Sequence, residues 1–303
     1  MNLKENIADF IDMKRKTSLL ENDNWANLAI IQIGNDPASE SYIMSKIKEA
    51  AKWNIKCSIN HICNPDVDTI NDVINLITYL NYDINTNGII VQLPTPYSKE
   101  DTQRILDAIA PEKNVDGFAQ THSGEFAYFY PGTPLGIIEF LKWNYKQATN
   151  GIFYTRNVVV IGRGKTVGEP LIKMLLNEPY SSLTVCASNT DPEKLKRDIL
   201  PHADIVISAV PIPLFVEPNC LKPGVIFVDA GMSMVMKNDK LCQIGNLSHD
   251  GICDLEKINN NYINYTPWTN GVGKLTVAML MLNVRKAYIY QKKGLYNASK
   301  NNN

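Results

Sequence analysis

Short apolar runs alternate with amphipathic stretches along the first third of the chain. Runs at 28–34, 56–62 and 88–93 have the length and apolar content of buried strands. Apolar residues at helical spacing predict helices at 4–20, from a Ser39 or Ser41 cap to about 53, at 67–80 and at 99–109. Because strands and helices alternate, the pattern predicts a parallel sheet with helices on its faces.

The second half resumes this alternation after a segment at 111–135 that is rich in Pro and Gly, which we interpret as a functional loop. A helix at 134–145 is expected to link the two halves. Strands are predicted at 157–162, 182–187, 203–210 and 224–231, with helical segments after the first two. This order is typical of a dinucleotide-binding fold. A closing amphipathic helix at 275–293 is expected to pack back on the first half.

Length and composition narrow the class of protein. A chain of 303 residues suggests two domains, and 45% hydrophobic with 20% charged residues is ordinary globular usage. Lys and Arg number 30 against 31 Asp and Glu, so the charge balance predicts neither a nucleic-acid partner nor a membrane surface. No apolar run is long enough for a membrane span, and the N-terminus lacks the apolar core of a secretory signal.

Cysteine and histidine usage points to a reduced cytoplasmic protein without a metal. The six cysteines are scattered and contain no C-x-x-C pair, which indicates free thiols and not a disulfide framework. The four histidines show neither H-E-x-x-H nor H-x-H spacing, so we expect no metal site.

Three glycines follow the strand NVVVIG in a G-x-G-x-x-x-G pattern. Gly162 and Gly164 permit a tight turn in which backbone N–H groups approach a phosphate, and Gly168 lets the next helix pack close to the sheet. The alternative is a purely structural strand-to-helix turn. The second strand ends without the acid that usually binds the ribose of NAD, whereas Arg163 in the turn could pair with a 2′-phosphate, which favours NADP over NAD.

Four polar side chains in the first half are candidates for chemistry. Tyr42 and Lys46 are four residues apart on a predicted helix and share a face, as an acid–base pair would. The alternative, and the commoner arrangement at this spacing, is a tyrosine ring packed on the lysine stem. Gln92 ends a buried strand, where an amide must find a partner or a ligand. Asp116 lies on the next loop, in a sequence, NVDG, that also suits a structural turn.

Several sequence blocks, which contain these candidate residues, together resemble the bifunctional methylenetetrahydrofolate dehydrogenase/cyclohydrolase family. The resemblance runs from about 28 to 287 and depends on several blocks in the family order: DPASESYIMSKIKEA, GIIVQLPTP, PEKNVDGF, PGTPLGIIEFL, VVVIGRGKTVGEP, KPGVIFVDAGM and GVGKLTVAMLM. It implies two three-layer α/β domains with an active-site cleft between them. Residues 1–135 with 276–303 would form the folate-binding catalytic domain, and 136–275 a Rossmann-like NAD(P)-binding domain.

The resemblance also implies a reaction and a set of roles. Methylenetetrahydrofolate would be oxidised with NADP, and the methenyl product hydrated to 10-formyltetrahydrofolate, by a cytoplasmic homodimer of one-carbon metabolism that serves purine biosynthesis. Lys46 would be the key group of hydration, held by Gln92, with Tyr42 orienting the folate and Asp116 binding the pterin amino edge. Further positions that match the family are, for the substrate, Leu93 and Gly271, and for the cofactor, Gly162, Arg163, Gly164, Val167, Ser188 and Met232.

Several positions depart from the family pattern. The usual P-G-G-V-G-P-M-T before the closing helix is replaced by TNGVGKLT at 269–276. Gly164, Gly132 and Ala187 stand where the family has Ser, Cys and His. Two alternatives therefore stay open: a dehydrogenase that is NAD-linked or has weak cyclohydrolase activity, and a non-catalytic folate- or nucleotide-binding protein.

Overall fold

The computed structural model describes residues 2–21, 24–62, 69–118, 128–145, 152–179, 182–237, 240–248 and 263–294. The chain divides into two compact units, one of Met1–Ile11 with Thr133–Thr276 and the other of Asp12–Gly132 with Val277–Asn303. Helix α1 (Lys4–Glu21) and the last helix, α8 (Val272–Lys293), contribute residues to both units.

The unit of 12–132 and 277–303 is built on a three-stranded parallel sheet in the order β2-β1-β3. Its elements alternate as predicted: β1 (Ala26–Ile33), α2 (Pro37–Lys52), β2 (Ile55–Ile62), α3 (Ile70–Tyr82), β3 (Gly88–Val91) and α4 (Lys99–Asp107). Ala29, Ile31 and Ile33 of β1 pack with buried residues of α3 and α4 in one core cluster. Because strand side chains alternate between faces, Gln32 and Gln92 lie on the opposite face.

The start of α2 and the end of β3 correct two predictions. Neither Ser39 nor Ser41 caps α2, since the helix begins at Pro37 and the Asp36 carboxylate accepts hydrogen bonds from the Ser39 backbone N and Oγ at 2.9 and 2.8 Å. Strand β3 was predicted to reach residue 93 but ends at Val91. The Gln92 backbone N still donates to a carbonyl of β1, and two residues later a proline has no N–H to continue the ladder.

The unit of 133–276 carries a second parallel sheet, in the order β10-β7-β6-β4-β5. Its elements are α5 (Gly132–Asn144), β4 (Asn157–Ile161), α6 (Gly168–Leu175), β5 (Ser182–Cys186), α7 (Pro192–Lys194), β6 (Ile205–Ser208), β7 (Ile226–Asp229), β8 (Ser233–Lys237), β9 (Lys240–Ile244) and β10 (Asn264–Tyr265). Strand β4 pairs with β5 on one side and β6 on the other, so the strand order reverses there. Ligands of open α/β sheets bind at such a switch point.

Three features of this unit differ from the predictions. Strands β8 and β9 form an antiparallel hairpin that the apolar pattern did not indicate. The helix expected after β5 is short and irregular, with α7 followed by π-helical and 3-10 turns as far as residue 202. The first eleven residues, predicted to belong with the folate half, pack here: the Leu3 N donates to the Tyr265 O at 2.9 Å, and the Phe10 ring lies 5.8 Å from the Phe140 ring.

The closing helix agrees with its prediction, since α8 bonds to the unit that holds the first half of the chain. The Asn87 Nδ2 donates to the Gln291 Oε1 at 2.8 Å, and the Gln291 Nε2 donates back to the Asn87 O at 2.9 Å. The loop predicted at 111–135 includes a 3-10 turn (Pro111–Lys113) and the start of α5, and its residues 119–127 lie outside the described part of the chain.

Candidate active site

The amine of Lys46 meets the side-chain amide of Gln92. Lys46 projects from α2, and its Nζ donates to the Gln92 Oε1 at 2.9 Å. Gln92, only 7% exposed, follows the last residue of β3, and its Nε2 donates to the Leu93 O at 2.6 Å. Because a lysine amine can only donate as an ammonium, this contact fixes the amide with its oxygen toward Lys46. The contact between Lys46 and Gln92 that the family resemblance implies is therefore present.

Asp116 occupies the turn that leads away from the 3-10 helix. The Gly117 N donates to the Asn114 Oδ1 at 3.2 Å, and Gly117 has a positive φ of 71°, so the turn interpretation of NVDG is also correct. Burial raises the pKa of Asp116, and the positive charge of Lys46 acts in the opposite direction. The Asp116 carboxyl group therefore lies within the electrostatic influence of the Lys46 ammonium.

Tyr42 and Leu93 flank this pair. Tyr42 lies one helical turn before Lys46 on α2 and is 46% exposed. Leu93 follows Gln92 directly and is half-buried. The structure thus joins Lys46 to Gln92, with Asp116 in the same compact unit, and leaves Tyr42 partly exposed to solvent.

The glycine turn after β4 has no room for side chains at two positions. At Gly162, with a φ of 101°, a Cβ would lie 2.5 Å from the Ala209 O. At Gly168, the first residue of α6, a Cβ would collide with the carbonyl of Gly162 and lie 2.8 Å from the Arg163 Cα. At Gly164 a Cβ would meet nothing within 4 Å. This tight turn at the start of a helix fits a dinucleotide phosphate, as the sequence predicted.

The other cofactor candidates surround the carboxyl ends of the same sheet. Arg163 and Ser188 are exposed, the first in the glycine turn and the second just after β5. Val167 immediately precedes α6, and Met232, 48% exposed, follows β7. Gly271, predicted at the substrate, lies just before α8, where a Cβ would collide with the carbonyl oxygen of residue 267.

A buried network beside the glycine turn was missed by the sequence analysis. The Asp229 carboxylate accepts from the backbone N of Asn246 and Leu247 at 2.8–2.9 Å, and burial raises its pKa to about 6. The Asn246 Nδ2 donates to the Val210 O and Ile212 O at 2.9 and 2.6 Å. This network shapes the loop that contacts Gly162. An acid at the end of the apolar run GVIFVDAG was the available signal, whereas nothing near Asn246 pointed to it.

Lys113 was also missed, although it lies within the block PEKNVDGF. It is buried, and its Nζ donates to the Leu80 O and Asp83 O at 2.9 and 2.7 Å, at the end of α3. Burial lowers the pKa of Lys113. This lysine fixes the segment just before Asp116, a role that spacing along the chain could not reveal.

Within the described ranges, no group of three or more His, Cys, Asp or Glu side chains could hold a metal ion. Cys57, Cys186, Cys220 and Cys242 are free thiols, and Cys63 and Cys253 lie outside those ranges. No described helix has the length and hydropathy of a membrane span.

Fold and site define a two-unit α/β protein with a dinucleotide-type glycine turn in one unit and, in the other, a lysine–amide pair and the carboxyl group of Asp116. Two family models cover most of the chain: the catalytic domain of tetrahydrofolate dehydrogenase/cyclohydrolase matches residues 2–116, and its NAD(P)-binding domain matches 131–292. The chain therefore belongs to the tetrahydrofolate dehydrogenase/cyclohydrolase family.

Individual relatives agree with this membership. The bifunctional protein FolD of Chlamydia felis is 35% identical over 290 residues, which cover 93% of this chain and 96% of that protein. The crystal structure of the bifunctional FolD from Campylobacter jejuni is 30% identical, with a TM-score of 0.77 over 94% of this chain and 96% of that one. The Trypanosoma brucei FolD, solved with NADP and an inhibitor, shares the fold at 24% identity, with a TM-score of 0.78 over 97% of both chains.

Proposed function

We propose that this protein oxidises 5,10-methylenetetrahydrofolate to the 5,10-methenyl form with NADP+ and then hydrolyses that product to 10-formyltetrahydrofolate. The observation that carries the proposal is the hydrogen bond from the Lys46 Nζ to the Gln92 Oε1, together with the carboxyl group of Asp116 in the same unit. A protein that only bound folate would have no need of an ammonium aligned by an amide.

Hydride transfer needs orientation more than acid or base. Loss of hydride from a carbon between two nitrogens gives a stabilised amidinium, so a correctly held substrate supplies most of the rate. Asp116 would bind the pterin amino edge with paired hydrogen bonds, and the exposed ring of Tyr42 would stack on or orient the folate. Leu93 and Gly271 would contact the substrate as well.

Hydration needs a positioned donor. Water adds to the methenyl carbon and loses a proton. As the bond from that carbon to N5 breaks, charge develops on the oxygen, the hydroxyl loses its remaining proton, N5 takes up a proton and the formyl group remains on N10, so that one proton is released overall. The Lys46 ammonium would donate a hydrogen bond to that oxygen and take part in the proton transfer. The carbonyl oxygen of Gln92 holds the amine in place, which lowers the cost of orienting a long flexible side chain.

The cofactor would be NADP, for which the residues present fit. The turn at Gly162, Gly164 and Val167, which is close-packed at Gly162 and at the following Gly168, would hold the pyrophosphate on backbone N–H groups. Arg163 and Ser188 are accessible for the 2′-phosphate, and the backbone at Met232 would meet the nicotinamide end. When bound, NADP supplies the hydride acceptor.

We also propose that the protein acts as a cytoplasmic homodimer and supplies formyl groups for purine biosynthesis. The family resemblance supports this, together with the free thiols, which suit a reducing compartment. Analytical ultracentrifugation would give twice the chain mass if the dimer forms.

The test is a pair of half-reaction assays with both nicotinamide cofactors. Purified protein should reduce NADP with methylenetetrahydrofolate, faster than NAD, and should hydrate added methenyltetrahydrofolate without any cofactor. Oxidation without hydration would make it a dehydrogenase alone. Tight folate binding without either reaction would make it a binding protein, and both results would overturn the proposal.

A further inference from the structure

Asn283, on the last helix, is almost fully buried and uses both of its amide hydrogens on one loop. It is 2% exposed, and its Nδ2 donates to the Val115 O at 2.9 Å and to the Tyr130 O at 3.0 Å. Both acceptors are backbone carbonyls of the same compact unit. The amide therefore links the backbone at Val115 to the backbone at Tyr130, on either side of residues 118–128.

The first of these carbonyls belongs to the peptide that joins Val115 to Asp116. A hydrogen bond to this oxygen fixes the peptide plane next to the Asp116 Cα, and with it the direction in which the carboxylate leaves the backbone. The second carbonyl lies where the chain returns: a Cβ on Gly117 would be 2.8 Å from the Phe129 O. Asn283 thus holds these two backbone segments together next to Asp116.

We propose that Asn283 is a positioning residue for the pterin-binding carboxylate of Asp116. The inference rests on the proposed function, because it takes Asp116 as the group that recognises the substrate. Paired hydrogen bonds to the pterin tolerate little movement of the carboxylate, and a displacement of about 1 Å can cost roughly 100-fold in rate. Loss of the Asn283 amide should therefore appear in folate recognition and not only in stability.

The same helix offers a matched control. Gln291, eight residues further on, also donates from one amide nitrogen to two backbone carbonyls, those of Asn87 at 2.9 Å and Glu112 at 3.3 Å. Neither carbonyl belongs to the peptide before Asp116. Replacing each amide by the isosteric acid removes two donors and places a carboxylate against two carbonyl oxygens, so Asn283→Asp and Gln291→Glu make the same kind of structural defect at different distances from Asp116.

The experiment compares these variants in the NADP-dependent assay and in thermal unfolding. Asn283→Asp should raise the KM for methylenetetrahydrofolate at least about tenfold and leave the KM for NADP within about twofold. Gln291→Glu should also lower the Tm, by less because Gln291 is less buried and its remaining oxygen still accepts from the Asn87 Nδ2, and it should leave both KM values near those of the wild type. If Asn283→Asp does not fold, Asn283→Ser, which keeps one donor, should show the same KM pattern to a smaller degree.

A second background identifies the route. In Asp116→Asn, whose carboxylate is already lost, adding Asn283→Asp should raise the folate KM no further, because coupled residues do not add. Full additivity, an unchanged folate KM in Asn283→Asp, or an equal rise in Gln291→Glu would overturn the inference.

Failure of the proposed function can be told apart. If the wild-type protein turns over no folate with either cofactor, the function falls, and amide hydrogen exchange at residues 114–117 decides whether Asn283 holds the loop. Faster exchange in Asn283→Asp but not in Gln291→Glu would support positioning, and unchanged exchange would overturn it.

Discussion

Replacing Gly168 by alanine introduces one methyl group where the turn after β4 leads into α6. The new Cβ would lie 2.8 Å from both the Arg163 Cα and the Gly162 carbonyl carbon, and closer still to the Gly162 oxygen. These are backbone atoms, so none can rotate away. The Gly162 oxygen is the nearest of these atoms and sets the size of the shift: to reach the 3.4 Å at which ordinary contact begins, the helix start or the turn must move by about 1 Å.

That displacement falls on the groups proposed to bind the pyrophosphate. Overpacking of this kind destabilises a protein by roughly 1–3 kcal/mol. Misplacement approaching 1 Å costs up to about 100-fold in rate, so we expect kcat/KM for NADP to fall about 10- to 100-fold in Gly168→Ala. Hydration of added methenyltetrahydrofolate needs no cofactor and should persist in the same preparation.

Gly164→Ser is the matched control in the same turn. A Cβ there meets nothing within 4 Å. We expect this variant to keep its Tm, because the added side chain displaces no backbone atom. NADP kinetics of Gly168→Ala like those of the wild type would refute the close approach of helix and turn, and equal loss of both half-reactions would mean general unfolding instead of a cofactor defect.

Three further predictions concern single side chains. For hydration, a double-mutant cycle of Lys46→Met and Gln92→Leu should give a coupling energy of about 1–2 kcal/mol, as for a hydrogen bond to a half-buried charge, and additive losses would contradict the pairing. Burial raises the pKa of Asp116 and the charge of Lys46 lowers it, so the acid limb of kcat/KM for oxidation should move to higher pH in Lys46→Met. An unmoved limb would show that Lys46 does not influence the ionisation of Asp116. Burial raises the pKa of Asp229 from its ordinary value of 3.8 to about 6, so the carboxyl group binds its proton more tightly in the native state. Its contribution to the free energy of unfolding should therefore fall by about 3 kcal/mol as pH rises from about 4 to about 6. Urea titrations should show this fall in the wild type and lose it in Asp229→Asn.

Local chemistry made much of the fold predictable. Continuous apolar runs such as NVVVIG identify buried strands because parallel strands are covered on both faces. The glycine turn was visible since only glycine fits where a Cβ would meet backbone, as at Gly162 and Gly168. Gln92 was a candidate because an amide at the end of a buried strand needs a partner, whereas its pairing with Lys46 was implied by the family resemblance.

What escaped prediction depends on pairing between distant parts of the chain. Asp36, and not a serine, caps α2, and the choice between neighbouring polar residues depends on local geometry that the pattern does not encode. Asn246 and Asn283 bond to backbone carbonyls 34 to 168 residues away, and an isolated asparagine carries no periodic signal. The hairpin β8–β9 lacks a continuous apolar run like those of the buried parallel strands, because polar residues interrupt its two segments, SMVMK and KLCQI.

The most direct test follows both products in one reaction. Wild-type protein mixed with methylenetetrahydrofolate and NADP+ should form NADPH and 10-formyltetrahydrofolate in equal amounts, while Lys46→Met should form NADPH and accumulate methenyltetrahydrofolate. NADPH formation that is absent from the wild type, or formyl product that appears at the wild-type rate in Lys46→Met, would contradict a single folate site in which Lys46 carries the hydration step.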